Sequence, residues 1–305
     1  MRRGFHAVMT LFLAGALAHA QTEVADPAKN SDLETIEVEA SRAELRKEIS
    51  TFVSTVTRLD GELISRWSKD TPICPLVIAD NPAIGEFIRK RLLEIAAQVP
   101  IRAETDPKCR ANLFVIVSAH APKMAANWED TASWEKLDDG NSRPGRSRWK
   151  PRPGATRSAE SLPVRTWHNM RIDQSNGMPT LSISVVSGVK PITSAKDLGS
   201  RITSNVAENL TGVVLLVDTH AAAGVTVTQL ADYIAMTSFA KPDLEADLGK
   251  TDSILQLFAV EPLNRPSGLT EWDYAFLRGL YLISYTPKQQ RTSIATRMVR
   301  DLAPR

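Results

Sequence analysis

Gly212 to Phe239 reads GVVLLVDTHAAAGVTVTQLADYIAMTSF, and this stretch constrains the fold more than any other part of the chain. Gly212 to Val217 is an apolar run of strand length, which reads as a buried strand. A loop of small residues follows. From Thr226, a natural helix cap, Val227, Leu230, Ala231, Ile234 and Ala235 fall on one helical face. A buried strand that feeds an amphipathic helix must stack that helix on a sheet. The fold class expected is therefore α+β or α/β: a mixed sheet with packed helices.

The same alternation occurs earlier. Pro72 to Ala79 (PICPLVIA) is a short apolar stretch, and Asn81-Pro82 opens a helix, with Asn81 as cap and Pro82 at its first position. Ile84, Phe87, Ile88, Leu92 and Ile95 keep a helical period, and Asn112 to Ala119 (NLFVIVSA) reads as a buried strand. This order predicts a βαβ-like unit. Cys74 and Cys109 are the two cysteines of the chain and sit near the ends of that unit. An isolated pair in an exported protein reads as a disulfide. Closing a loop of that length stabilises by roughly 3–4 kcal/mol in the chain-entropy model. The globular region then has an N-terminal disulfide-clamped unit and a C-terminal strand–helix half.

Export is read from the first twenty residues. Arg2 and Arg3 precede an apolar run from Ala7 to Ala18, which is too short to span a bilayer, and Ala18-His19-Ala20 is a small-x-small cleavage site. The expectation is a signal peptide over 1–20, a mature chain from Gln21 and a periplasmic or secreted location. Without Arg2 and Arg3 the 37 basic residues fall to 35, equal to the 35 acidic ones. A neutral chain argues against nucleic acid as a general partner. No later segment is apolar for long enough to cross a membrane, so no stable membrane span is expected.

Residues 21–48 read as a polar, acidic leader without helical period, in which Thr35 to Ala40 alternates like an edge strand. Ser50 to Val56 (STFVSTV) alternates as a strand, and Asp60-Gly61 signals a turn. Pro163 to Met170 and Leu181 to Ser187 are further strand candidates, and Leu198 to Leu210 has a helical pattern. The globular region, 49–305, reads as one large domain or as two lobes, 49–140 and 160–305. Between them lies a basic loop, 141–159, rich in proline and glycine. It carries Arg143, Arg146, Arg148, Lys150, Arg152 and Arg157 with Trp149 and no acid. Such a loop suits an anionic envelope component or another protein as partner.

The helix after Thr226 also has the shape that carries metal ligands in zinc peptidases. Positions i and i+4 lie above one another on a helix, which is how H-E-x-x-H places two imidazoles on one metal and a base beside its water. Here the frame is Gln229-Leu230-Ala231-Asp232-Tyr233. Beyond it lie Asp252-Ser253-Ile254 running on to Phe258, and Leu269-Thr270-Glu271-Trp272-Asp273 leading to Phe276-Leu277 and Leu280-Tyr281. In order and spacing, Gly212 to Tyr281 resembles metzincin-like zinc peptidases, which implies a degenerate peptidase scaffold. The departures are decisive for chemistry. Gln229 and Tyr233 stand where histidines belong, Leu230 where the base belongs, and Phe239 where a third ligand would fall. These side chains do not make a zinc set. The whole chain also resembles a family of uncharacterised exported proteobacterial proteins, on the paired cysteines, QLADYIAM (Gln229 to Met236) and MVRDLAP (Met298 to Pro304). That resemblance implies no activity.

The expectation is a non-catalytic binding or structural protein, with no cofactor and no catalytic metal. The alternative is a hydrolase built on His120, His168, Asp218 and His220. His120 and His220 follow apolar strands, where sites in open α/β sheets form, and Ser65, Ser118 or Ser253 would supply a nucleophile. No G-x-S-x-G elbow and no phosphate-binding glycine motif accompanies them.

Overall fold

The computed structural model describes residues 27–57, 63–130, 163–174, 206–283 and 289–303. The segments outside these ranges include the expected signal peptide over 1–20, Asp60-Gly61, the basic loop with Arg143, Arg146, Arg148, Trp149, Lys150, Arg152 and Arg157, and the strand expected at Leu181 to Ser187. The chain divides into two units, Met1–Ser41 and Arg42–Arg305. In the first, the described residues from Pro27 are helical. The second holds the sheet and the helices packed on it.

The described elements, in order, are α1 (Pro27–Val56), β1 (Arg66–Trp67), β2 (Pro75–Ala79), α2 (Pro82–Gln98), β3 (Leu113–Ser118), α3 (Ala121–Asp130), β4 (Val164–Gln174), β5 (Val206–Asp218), α4 (Val227–Phe239), α5 (Glu271–Leu282) and α6 (Gln290–Leu302). They form the expected mixed sheet with packed helices. β5 is its longest strand and its axis. β3 and β1 both run parallel to β5, β3 along Val213 to Asp218 and β1 at Asn209 and Leu210. β2 continues the parallel order beyond β3, and β4 lies antiparallel to β5.

The β2–α2–β3 unit is as the sequence implies. Asn81 caps α2, its side chain accepting from the Ala83 amide at 3.0 Å, and Pro82 opens the helix. Cys74 and Cys109 are disulfide-bonded, with Cα atoms 6.0 Å apart. Gly85 sits where α2 crosses β2, so that an added Cβ would only just touch Ala79 and the Val77 carbonyl at 3.5 Å.

Alternation along the strands sorts the faces. Leu113, Val115, Val117, Val213, Leu215 and Val217 point into the main core with α1, α2, α4, α5 and α6. Leu216 points the other way, under Ala121 and Ala125 of α3, with Ile116 and Trp167 beside it. The main core draws on residues from Ile49 to Met298, on both sides of the segment 141–159.

Three local readings change. Ser50 to Val56 is the end of α1, not a strand, and the leader expected over 21–48 is helical from Pro27. The alternation in STFVSTV is incidental. Ile49, Phe52, Val53 and Val56 are all buried, and their spacing is that of a helix face. Residues 206–210, read as the end of a helix, are strand. Pairing with Met170 to Gln174 on one side and with β1 at Asn209 and Leu210 on the other satisfies their backbone and overrides the helical spacing.

Candidate functional site

α4 packs against α2, α5, β4 and β5. From Leu230 to Phe239 every residue is buried. A helix buried on all sides must satisfy its terminal backbone groups within the protein. At its N-terminus Thr226 and Gln229 form a reciprocal capping box: the Gln229 amide donates to Thr226 Oγ1 at 3.2 Å, and the Thr226 amide donates to Gln229 Oε1 at 3.0 Å. Gln229 Nε2 also donates to the Pro266 carbonyl at 2.7 Å.

Three side chains from three elements satisfy the C-terminal carbonyls. His168 Nε2 on β4 donates to Thr237 O at 2.8 Å and lies 3.2 Å from Ala240 O. Trp67 Nε1 on β1 donates to Ser238 O at 2.8 Å. The Tyr281 hydroxyl on α5 donates to Phe239 O. Arg66, next to Trp67, performs the same service for α5, its guanidinium donating to Leu280 O at 2.6 Å and Ile283 O at 3.0 Å.

Each position of the peptidase-like frame is occupied by a structural side chain. Gln229 is spent on the cap. Leu230 is buried in the core. Tyr233 packs edge-on against Phe258, ring centroids 5.0 Å apart. Phe239 is fully buried. Asp232, the remaining polar residue of the frame, is 1% exposed as a side chain and forms a forked ion pair with Arg91 of α2: Nε to Oδ1 at 2.6 Å and NH2 to Oδ2 at 3.0 Å. Leu269 N also donates to Asp232 Oδ2 at 2.8 Å. The paired carboxylate holds the Arg91 guanidinium above its usual range. Gly268 is required here, because a Cβ would stand 2.5 Å from Asp232 Oδ2.

The two downstream blocks of the resemblance meet in space. Thr270 caps α5 in a second reciprocal box with Asp273. Asp273, fully buried, also accepts from Ser253 Oγ at 2.6 Å and from the Ile254 amide at 2.8 Å. Burial pushes the Asp273 carboxyl up to about 6, against these hydrogen bonds, which favour the charged form.

His168 does not join His120 and His220. His168 lies opposite Val213, five residues before Asp218 on β5, about 17 Å along the strand. It is half-buried against α4, and desolvation pulls its pKa down to about 4, so it is a neutral Nε2–H donor near pH 7. His120 and His220 are exposed, just past β3 and β5, whose ends are in register at Ser118 and Asp218. Asp218 Oδ1 accepts from the His220 amide at 2.9 Å, and Ser118 Oγ from the His120 amide at 3.2 Å: both side chains shape turns.

The serines have other partners. Ser253 is bound to Asp273. Ser65 is buried between Glu208 and Lys241, its Oγ 3.5 Å from Nζ. Among the described residues no group of three or more His, Cys, Asp and Glu side chains is arranged to hold a metal ion. None of the described helices is long and apolar enough to cross a membrane.

Sequence reading missed Arg91–Asp232 and the role of Trp67. The signal available was the single charge in the otherwise uncharged QLADYIAM. Comparison with protein-family models, with curated proteins and with solved structures finds no match for this chain.

Proposed function

We propose that the chain is an exported, non-catalytic binding or structural protein on a helix-on-sheet scaffold. The position that serves as a metal helix in zinc peptidases has here been given over to packing. One observation carries the reading: each side chain of the frame Gln229 to Tyr233 already has a structural task. Gln229 caps, Leu230 and Tyr233 fill the core, and Asp232 is committed to Arg91 and Leu269. A phenol must lose a proton with an ordinary pKa near about 10 before it binds zinc, and an amide is a weak ligand. The signal-peptide pattern and the disulfide support an envelope location.

The hydrolase alternative uses the strand-end histidines with Asp218 and His168, and the position of His168, opposite Val213 and bonded to Thr237 O, speaks against its share in such a site. The test is elemental analysis of protein purified without chelator, paired with a peptide-cleavage assay. The expected result is no stoichiometric metal and no cleavage. Stoichiometric zinc with cleavage that a chelator abolishes overturns the reading. Rebuilding the frame with Gln229→His, Leu230→Glu and Tyr233→His is expected to destabilise the fold, because a carboxylate enters the core and a cap is lost.

A further inference from the structure

Ser65 before β1, Met170 on β4, Glu208 on β5 and Lys241 after α4 come together in space. The Met170 sulfur is one meeting point: Ser65 Oγ lies 3.3 Å from Sδ, and Lys241 Nζ lies 3.5 Å from it. Ser65 is fully buried and donates to Glu208 Oε1. A hydroxyl has one proton and an ammonium three, so with Glu208 taking the Ser65 proton, Lys241 is the donor that faces the sulfur. Its Nζ also lies 3.5 Å from Ser65 Oγ and 3.8 Å from Glu208 Oε1. Met170 and Lys241 are both partly exposed, within reach of a small solute. The other described methionines sit among apolar side chains. Met236 and Met298 are fully buried in the main core, and Met124 packs with Ile116 and Trp167 on the other face of the sheet.

A thioether is a weak acceptor, and its oxidation to a polar sulfoxide disrupts an apolar core. Beside an ammonium the same change has the opposite sign, because the new oxygen accepts a charge-assisted hydrogen bond. From this contrast we propose that Met170 is a redox modification site, oxidised by hydrogen peroxide to methionine sulfoxide and stabilised in that state by Lys241. In the step, an Sδ lone pair attacks one peroxide oxygen and the O–O bond breaks. An S–O bond forms, and hydroxide leaves with the electron pair of the broken bond. The proton of the transferred oxygen joins that hydroxide as water. Sulfur is oxidised by two electrons and the peroxide is reduced by two. The sulfoxide oxygen then accepts from Lys241 Nζ and competes with Glu208 for the ammonium. Methionine sulfoxide reduction restores the thioether, so the change is reversible. The proposal is independent of the reading of the chain as a binding protein.

The experiment treats the disulfide-bonded chain with graded hydrogen peroxide and locates the added oxygen by peptide mass spectrometry. In the folded protein Met170 should oxidise about tenfold or more faster than Met236 and Met298, which react only when the core opens, and in urea the three rates should converge. Urea midpoints are then compared before and after oxidation, with Met170→Leu reporting the effect of the remaining methionines. Oxidation at Met170 should leave the midpoint of the natural chain unchanged and lower that of Lys241→Met. Should that variant fail to fold, acylation of the Lys241 amine in the natural chain gives the answer: oxidation of Met170 should slow it severalfold. Equal oxidation rates for the three methionines in the folded protein overturn the proposal. So does a midpoint that falls as far in the natural chain as in Lys241→Met, or a Lys241 acylation rate that oxidation leaves unchanged.

Discussion

His168 and Asp273 show how desolvation decides a residue's chemistry. Asp273 is buried and His168 half-buried, and both are titratable. His168 is held neutral, its pKa pulled by desolvation to about 4. The unfolded chain binds its proton more readily, so this residue's contribution is present above about pH 6.5 and is lost as pH falls towards 4. Asp273 is shifted upward to about 6, again by desolvation. Its contribution has the opposite sense: it is present below about pH 3.8 and is lost as pH rises through 6. The two oppose each other over the same window. Single substitutions should therefore unmask them. In His168→Gln, which retains an N–H donor for Thr237 O, stability should fall as pH rises from about 4 to about 6. In Asp273→Asn it should fall as pH drops from about 6.5 to about 4. Urea midpoints measured across that range check both slopes, and parallel profiles in the two variants would contradict the assignment.

Among the elements, α4 is held by its ends and by one charged contact. Its mostly apolar sequence suits burial, but burial creates the demand for caps that Thr226, His168, Trp67 and Tyr281 meet. Asp232→Ala should destabilise by about 3 kcal/mol, because it leaves Arg91 and the Leu269 amide without their acceptor. Gly268→Ala should act at the same place by displacing the Asp232 carboxylate. A double-mutant cycle between Arg91 and Asp232 measures the coupling, and additivity of the two substitutions would remove the ion pair as the link between α2 and α4.

At the scale of the whole molecule, covalent closure and charge distribution are the testable features. Protein recovered from the periplasm should have the mass of a chain starting at Gln21 with one disulfide. Replacing Cys74 and Cys109 together by serine should lower stability by roughly 3–4 kcal/mol. The full-length mass, or two thiols alkylated without reductant, would contradict the export reading. The six cations from Arg143 to Arg157 should give salt-sensitive binding to anionic vesicles that is lost on deletion of Ser142 to Ala155. Binding that survives the deletion would assign the attraction elsewhere.

The sequence by itself determined what local chemistry controls. The Asn81-Pro82 start, the Thr226 cap, the disulfide, the strand–helix–strand order and the buried strand at Gly212 are set by residues a few positions apart or by the number of cysteines. The failures lie where a short pattern has two meanings. STFVSTV alternates like a strand yet presents Phe52 and Val53 side by side on a helix, and only the core that receives them decides. Val206 to Leu210 carries helical spacing, but β4 and β1 supply its hydrogen bonds. Trp67 to Ser238, His168 to Thr237 and Arg91 to Asp232 join residues separated by 171, 69 and 141 positions. No periodicity encodes such contacts. They exist because a helix buried on every side must find donors and acceptors for its ends and its one charge, and only the tertiary structure determines which side chains provide them.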